Sequence, residues 1–297
     1  MHVYLAYTLV ILIWSTTPLA IQWSSDSVPF MTAVALRMSL ALALALLALA
    51  WLRRGSLFAR PGAWKVYLVA SLGIFPNMPL VYWSAQFIPS GLIAVIFALS
   101  PFVTGLLSMA ILRENPFDRF RVLALLIALV GLLVIFWGQL RIDARSVYGI
   151  VGLLLSCVLF GTSSVTLKRL NQGTDAFSQT AGALLFALPG LLLTWWWTDG
   201  QWPTEMSDKT FWAVLYLAVF GSVLGFTLFY FVLNELSPSS VSLITLITPV
   251  LALVIGALVA QERLTLSLLL GAGLVIGALL VYLDLKPWLR RLWAACK

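Results

Sequence analysis

The sequence is poor in charge, in histidine and in cysteine. Only 10% of its 297 residues are charged, whereas soluble domains have about 25%, so the chain cannot cover itself with a fully wetted surface. The single histidine, His2, is at the N-terminus, which argues against histidine catalysis and a histidine metal site. The two cysteines, Cys157 and Cys296, indicate neither a disulfide nor a metal centre.

Several sequence patterns are also missing. There is no Walker-type phosphate loop, which argues against ATP as the energy source. The net charge of +7 is not gathered with stacking aromatics on one basic face, which argues against a nucleic-acid partner. No Asp or Glu lies in the middle of an apolar run, so the usual proton relay of pumps has no obvious position. We therefore predict no cofactor, no metal site and no catalytic residue.

What the sequence has in abundance is apolar residues in long runs. Hydrophobic residues make up 62% of the chain, and the mean hydropathy is +1.02. A helix needs about 20 apolar residues to cross a bilayer. The third run is the most interrupted, because Pro76, Asn77 and Pro79 lie within it. The predicted fold is an all-α membrane protein with ten transmembrane helices, at roughly 3–23, 31–52, 64–86, 89–112, 119–137, 147–168, 176–197, 210–234, 238–261 and 265–286.

The basic residues are distributed unevenly between the predicted loops. With the N-terminus in the cytoplasm, 13 basic residues fall inside, and four fall outside, namely Arg141, Arg145, Lys209 and Arg263. Basic residues prefer the cytoplasmic side of membrane proteins. We therefore predict a multi-pass protein of the bacterial cytoplasmic (inner) membrane with both termini in the cytoplasm.

The last part of each half of the chain repeats one pattern. Pro101 precedes Glu114 by 13 residues, and Pro249 precedes Glu262 by the same 13. Five spans per copy is an odd number, so the second copy enters the membrane from the opposite side, and a substrate cavity is expected near the midplane between the copies. The predicted domains are a first repeat at 1–140, a second repeat at 146–287 and a basic cytoplasmic tail at 288–297.

These features resemble the drug/metabolite transporter superfamily, in particular its ten-span branch made of two inverted EamA repeats. The resemblance implies an inner-membrane carrier, often an exporter of amino acids or other small metabolites. Arg113 and Gln261 stand where the family often has glycine, which makes the loop geometry there a departure from the pattern. The residues that carry the resemblance are Ile13-Trp14-Ser15-Thr16, Arg37, Pro89-Ser90-Gly91, Pro101, Arg113-Glu114, Gly221 to Phe226, Pro249, Glu262, Gly271, Gly273 and Gly277.

Arg37 is the only charged residue well inside a predicted span. Placing arginine at a helix centre costs about 2.5–3.5 kcal/mol on insertion scales, so the side chain needs a partner or access to water. One interpretation is a cationic anchor for a substrate carboxylate, or a gate residue. The alternative is a structural role, in which the side chain reaches the outer headgroups or pairs with Asp26.

Polar and aromatic residues inside other spans are further candidates. Asn77, in the interrupted span, either coordinates a solute or is bonded to a neighbouring helix at a packed kink. Aromatic residues in spans 1, 3, 6 and 8 either form the walls of a cavity for an amphiphilic solute or fill the bundle and face lipid. The predicted substrate-binding residues are Trp14, Thr16, Arg37, Asn77, Tyr82, Trp83, Phe160, Ser163, Phe226, Tyr230 and Thr245.

Proline and glycine positions suggest hinges and helix contacts. Proline removes a backbone donor and frees a carbonyl one turn earlier, so Pro76, Pro79, Ser100-Pro101 and Thr248-Pro249 are predicted hinge or gating residues. Gly221-x-x-x-Gly225 and Gly273-x-x-x-Gly277 are interpreted as packing seams. Glu114 and Glu262, at the ends of their spans, are candidates for proton coupling, the alternative being structural pairing with nearby arginines.

The function predicted from these features is secondary transport of small amphiphilic metabolites. Amino acids are the favoured substrates, moved out of the cell by alternating access, and the protein is not expected to be an enzyme. An uptake carrier for a vitamin- or nucleoside-like solute is one alternative. A membrane enzyme or a scaffold without flux is another. The expected partners are a small-molecule substrate and the lipid bilayer, with the protein a monomer or a homodimer.

Overall fold

The structure is a computed structural model. It describes residues 2–52, 57–88, 90–137, 145–170, 173–251 and 266–282, and within these ranges it contains helices and no strand. The helices are α1 (Val3–Ser24), α2 (Phe30–Trp51), α3 (Ala63–Ser71), α4 (Asn77–Ser84), α5 (Ser90–Phe97), α6 (Ser100–Ile111), α7 (Arg119–Phe136), α8 (Ser146–Leu170), α9 (Ala176–Thr198), α10 (Asp208–Tyr216), α11 (Gly225–Glu235), α12 (Pro238–Ser242) and α13 (Leu266–Tyr282).

In the part of the chain that the structure describes, five helical segments are long and apolar enough to cross a membrane on their own. They are Val3–Ile21, Phe30–Trp51, Ser146–Leu170, Ala176–Thr198 and Asp208–Glu235. The corresponding predicted spans agree with the helix ends to within two residues. The other predicted spans consist of shorter helices. Glu262, the end of the ninth span and the basic tail lie outside the described residues.

The third predicted span is broken, as its prolines indicated. Helix α3 ends at Ser71 and α4 begins at Asn77. The last carbonyls of a helix have no partner within it and must find other donors. Ser163 Oγ on α8 donates to the Val69 carbonyl at 2.8 Å, and Tyr230 OH on α11 donates to the Ala70 carbonyl at 3.3 Å. Helices from the second half of the chain therefore stabilise this break.

The two halves of the chain are packed into each other rather than side by side. Helix α8 contacts α3, α4, α5 and α6, while α1 contacts α10 and α11. The largest buried apolar cluster combines residues of α1, α2, α3, α9 and α11. A second cluster is built mainly on the long contact between α7 and α13. Any site in the middle of the bundle is consequently lined by both halves.

The glycine seam of the last helix is not where the pattern placed it. A Cβ atom at Gly273 or at Gly277 would meet nothing within 4 Å. At Gly131 of α7, in contrast, a Cβ atom would lie 2.7 Å from the carbonyl oxygen of Gly271. The close approach of α7 and α13 therefore depends on Gly131 and Gly271, and Gly273-x-x-x-Gly277 forms no packing seam with the described residues of the chain.

Candidate functional site

Arg37 is a buried guanidinium held by hydroxyl groups. Its side chain, on α2, is 2% exposed. Nε donates to Ser222 Oγ at 2.9 Å, and Nη1 donates to Tyr82 OH at 3.3 Å. Ser222 in turn donates its proton to Met38 Sδ at 3.8 Å, which fixes its oxygen as the acceptor for Arg37. The second terminal nitrogen, Nη2, has no hydrogen-bond acceptor among the residues that the structure describes.

The charge of Arg37 is not neutralised by a carboxylate in the described part of the chain. Asp26, the partner proposed as the structural alternative, instead accepts from Lys209 Nζ at 3.0 Å. The burial of Arg37 also rules out contact with the outer headgroups. Both structural explanations from the sequence are therefore wrong. A buried charge without a counter-charge is costly, so Arg37 is a candidate for binding an anionic group.

A distorted helix presents Ser222 to Arg37. Between α10 and α11 the chain forms a π-helical stretch, Leu217–Leu224, in the middle of an otherwise continuous helix. Such widened turns are rare and frequently mark functional sites. A Cβ atom at Gly221 in this stretch would lie 3.2 Å from Arg37 Nη2. The glycine therefore leaves room for the guanidinium group.

Four aromatic rings from α1, α8 and α11 form one cluster. The Trp14 ring lies 6.3 Å from that of Phe160, 6.2 Å from Phe226 and 5.3 Å from Phe229, measured between centroids. Phe160 and Phe229 are 5.1 Å apart. Trp14 and Phe160, both among the predicted substrate-binding residues, thus meet. Because the rings touch, the space expected to be an open cavity is filled by aromatic side chains in this conformation.

The polar edge of Trp14 lies close to the Arg37 site. A Cβ atom at Gly225 would be 2.7 Å from Trp14 Nε1, just as one at Gly221 would crowd Arg37. Residues four apart on a helix share a face, so both polar tips contact the same face of this helix. Trp14 N–H donates to no acceptor within the described ranges. Gly221-x-x-x-Gly225 is accordingly more than a packing seam, because it accommodates the tips of two candidate site residues.

Both polar atoms of the Asn77 side chain form hydrogen bonds within the protein. Its Nδ2 donates to the Gly73 carbonyl at 3.1 Å, and its Oδ1 accepts from Ser156 Oγ of α8 at 2.6 Å. The side chain is buried. Of the two interpretations of Asn77, this geometry supports the packed kink bonded to a neighbouring helix.

Three other predicted binding residues are not brought to Arg37. Thr16 Oγ1 lies 2.6 Å from Tyr216 OH in the contact between α1 and α10. Thr245 donates back to a carbonyl of its own segment. Trp83 is 38% exposed and packs against Phe87 at the surface of the bundle. Ser163 and Tyr230, as described above, donate hydrogen bonds to carbonyl groups at the end of α3. The Tyr230 ring also stacks on that of Phe226, with the centroids 6.2 Å apart.

The predicted hinge residues lie at or near helix ends. Pro76 immediately precedes α4, and Pro79 is within its first turn. Ser100 and Pro101 begin α6, which two residues separate from the end of α5 at Phe97. Thr248 and Pro249 lie within the helical segment Pro238–Leu251. Glu114, the coupling candidate in the described part, is exposed beyond the end of α6.

Four residues of the site were not among the predicted binding residues. They are Ser222, Phe229, Gly221 and Gly225. Phe229 lies three residues after Phe226 on the same helix face, so helical periodicity predicts it once Phe226 is chosen. Ser222 had no comparable signal, because its position opposite Arg37 depends on the π-helical stretch.

Two cavities open away from this centre. One of about 350 Å³ is lined by residues of α2, α9 and α11, and a second of about 680 Å³ lies beside His2 and Glu235. Neither is lined by Arg37 or Trp14. Neither of these two cavities therefore coincides with the candidate site around Arg37 and Trp14.

A bundle of long apolar helices around a buried cation defines the chain as an all-helical multi-pass membrane protein. The model of the EamA-like transporter family matches it twice, over residues 2–137 and 147–283. The chain therefore belongs to the EamA-like transporter family of the drug/metabolite transporter superfamily, and it is a membrane transporter.

Relatives and a solved structure agree with this assignment. The chain is 26% identical over 268 residues to the "Uncharacterized transporter YoaV" of Bacillus subtilis, covering 90% of this chain and 91% of that protein. It is 28% identical over 278 residues to "Protein PagO" of Salmonella typhimurium, covering 92% and 90% respectively. A protein of known crystal structure superposes with a TM-score of 0.79 over 97% of this chain and 98% of that chain. At 20% identity this last similarity shows the fold alone.

Proposed function

We propose that the chain forms ten transmembrane helices in two inverted five-helix repeats, 1–140 and 146–287, followed by a basic tail at 288–297. The two separate family matches support the duplication. The helix contacts are also consistent with two equivalent repeats. The first helix of the first repeat, α1, packs on α10 and α11 of the second, and the first helix of the second repeat, α8, packs on α3 and α4 of the first. The excess of basic residues in alternate loops supports cytoplasmic termini and a place in the bacterial inner membrane.

We further propose that this transporter is a secondary carrier for small amphiphilic metabolites, amino acids above all, and not an enzyme. The single observation that carries the substrate class is the buried Arg37, unpaired with any carboxylate in the described residues and close to an aromatic cluster. Arg37 would bind the carboxylate of the substrate. The rings of Trp14, Phe160 and Phe226 would contact the apolar side chain of the substrate. The faces of the same rings would contact its ammonium group.

Alternating access is proposed because the rings of the aromatic cluster contact one another across α1, α8 and α11 in this conformation. The aromatic contacts between α1, α8 and α11 must open on one side of the membrane and then on the other. The helix ends at Pro76, Pro79 and Ser100-Pro101 are proposed as hinges, because a broken helix allows one part to tilt while the other stays packed. Thr248-Pro249 is proposed as a further hinge, because proline frees a backbone carbonyl one turn earlier. We propose export as the physiological direction.

Coupling to protons is proposed to use Glu114, with Glu262 as its counterpart. The Glu114 side chain is exposed beyond the end of α6. In this scheme Glu114→Gln abolishes the response of flux to an imposed pH gradient. A Glu114→Gln variant whose flux still responds to that gradient places coupling elsewhere, or makes the protein an exchanger.

Flux measurements in proteoliposomes test the proposed function. Radiolabelled L-phenylalanine should cross the membrane saturably and without chemical conversion in the wild type. Arg37→Gln should abolish this flux, whereas Arg119→Gln, at an exposed arginine, should leave it unchanged. Conversion of the solute would indicate an enzyme, and complete inertness toward metabolites would indicate a scaffold. Saturable flux of vitamins or nucleosides alone would favour the uptake carrier.

A further inference from the structure

We propose that Trp14 is the second hydrogen-bond donor of a carboxylate subsite. One substrate carboxylate would be held between Nη2 of Arg37 and Nε1 of Trp14, above Gly221 and Gly225. This inference rests on the proposed function and specifies its site, because it assigns the indole N–H to the charged end of the substrate.

The two donors meet the same helix face. Gly221 and Gly225 are four residues apart, and side chains at this spacing are about 5–6 Å apart at Cβ. Arg37 Nη2 lies against the first position and Trp14 Nε1 against the second. Neither nitrogen has an acceptor among the described residues. A single carboxylate has two oxygens and matches two N–H donors presented in this way.

The arrangement of Arg37 leaves one edge of its guanidinium group for a ligand. Ser222 and Tyr82 occupy Nε and Nη1, so they act as positioning residues that fix the plane of the group. The rings of Phe226 and Phe229, which contact Trp14, are buried and apolar. In such surroundings a hydrogen bond to a charged group is worth more than in water.

Gly221 and Gly225 allow the two donor nitrogens to lie close to the helix. A methyl group at Gly225 would stand 2.7 Å from Trp14 Nε1, closer than an unstrained contact allows, and would displace the indole N–H. A methyl group at Gly221 would crowd Arg37 Nη2 at 3.2 Å. Gly277 provides a matched control, because a Cβ atom there meets nothing within 4 Å.

Equilibrium binding to the full-length protein in nanodiscs tests this subsite, with L-phenylalanine and its amide L-phenylalaninamide as probes. We expect the wild type to bind the acid more tightly than the amide. Trp14→Phe keeps an aromatic ring but removes the donor, and should weaken binding of the acid about tenfold and that of the amide, whose acceptor is uncharged, by less. Gly225→Ala should also weaken binding of the acid, and Gly277→Ala should match the wild type.

Several results would overturn the proposal. One is equal affinity of the wild type for the acid and the amide, and another is wild-type affinity of Trp14→Phe for the acid. A variant that loses acid and amide equally would show that Trp14 contributes only ring packing. If Trp14→Phe fails to fold, the Gly225→Ala variant provides the test. Binding of the acid to Gly225→Ala with wild-type affinity would contradict the subsite. Flux of the acid that persists in these variants would overturn the subsite but not the proposed transport function. Binding of the acid in the expected order without any flux would support the subsite and overturn the proposed transport function.

Discussion

Arg37 of α2 donates a hydrogen bond to Ser222 of the π-helical stretch at 2.9 Å, which connects the first half of the chain to the second. The contact lies in the interior of the bundle, where both side chains are buried. It holds the only cation within the first two helices in a fixed orientation. The stability of the bundle and the geometry of the proposed site therefore depend on the same hydrogen bond.

Ser222→Ala should destabilise the protein by about 2 kcal/mol, because it leaves Nε of a buried, charged Arg37 without its acceptor. Chemical unfolding in nanodiscs, followed by tryptophan fluorescence, measures the change. Ser108→Ala is the matched control, because Ser108 Oγ is equally buried but has no hydrogen-bond partner among the described residues. That variant should be neutral or slightly stabilising. Equal losses in the two variants would contradict the role given to Ser222.

Arg113→Gly should stabilise the protein. Arg113 has a φ angle of 61°, in the left-handed region, immediately after the end of α6. A non-glycine residue in this conformation costs about 1 kcal/mol, which glycine does not incur. We expect the free energy of unfolding to rise by about that amount. Glu114→Gly, at the next position with an ordinary φ angle, should give no gain, and a gain there equal to that at Arg113 would argue against the backbone explanation.

Asp199→Ala should lower stability by about 1–2 kcal/mol, because Asp199 Oδ2 accepts from both the backbone N–H and the hydroxyl of Thr32 at 3.0 Å. Thr32 lies in the first turn of α2 and is fully buried. The end of α9 therefore caps the start of α2. Asp199→Asn retains an acceptor and should lose less in the same unfolding assay. A larger loss for asparagine than for alanine would contradict this capping role.

The stability of α7 should depend on acidic pH through Asp118. The backbone N–H of Arg121, together with that of Phe120, donates to Asp118 Oδ1 and lowers the pKa of this carboxyl group. A lowered pKa in the folded state means that the stabilisation is present above the unfolded pKa of about 3.9 and is lost as the pH falls through the folded value.

Thermal unfolding between about pH 5 and pH 3 measures this loss. The wild type should lose stability over this range more steeply than Asp118→Asn, which keeps a capping oxygen that does not titrate. Identical slopes for the two proteins would show that Asp118 does not contribute.

Much of the fold was predictable because lipid imposes simple rules on sequence. The long helices α1, α2, α8 and α9 follow from runs of apolar residues, and the break between α3 and α4 follows from Pro76 and Pro79. The family assignment was confirmed by the two family matches. Arg37 was singled out because a charge inside an apolar run is expensive wherever it points.

The details of the site were less accessible, because they depend on contacts between distant helices. The partner of Asp26 is Lys209, 183 residues away, and nothing local distinguishes it from Arg37. The π-helical stretch that presents Ser222 has no established sequence signature here. Trp83 and Trp14 look alike in sequence, but one faces outward and the other lies in the aromatic cluster, because helix rotation is set by the surrounding packing.

Accessibility of Phe229 to water tests the central claim, which is alternating access through the aromatic cluster, most directly. The measurement uses a Phe229→Cys variant in a Cys157→Ser and Cys296→Ser background, with a membrane-impermeant thiol reagent applied to right-side-out and to inverted vesicles. We predict modification from both sides of the membrane, slowed in each case by L-phenylalanine. Modification from neither side, or from one side only regardless of substrate, would contradict the account.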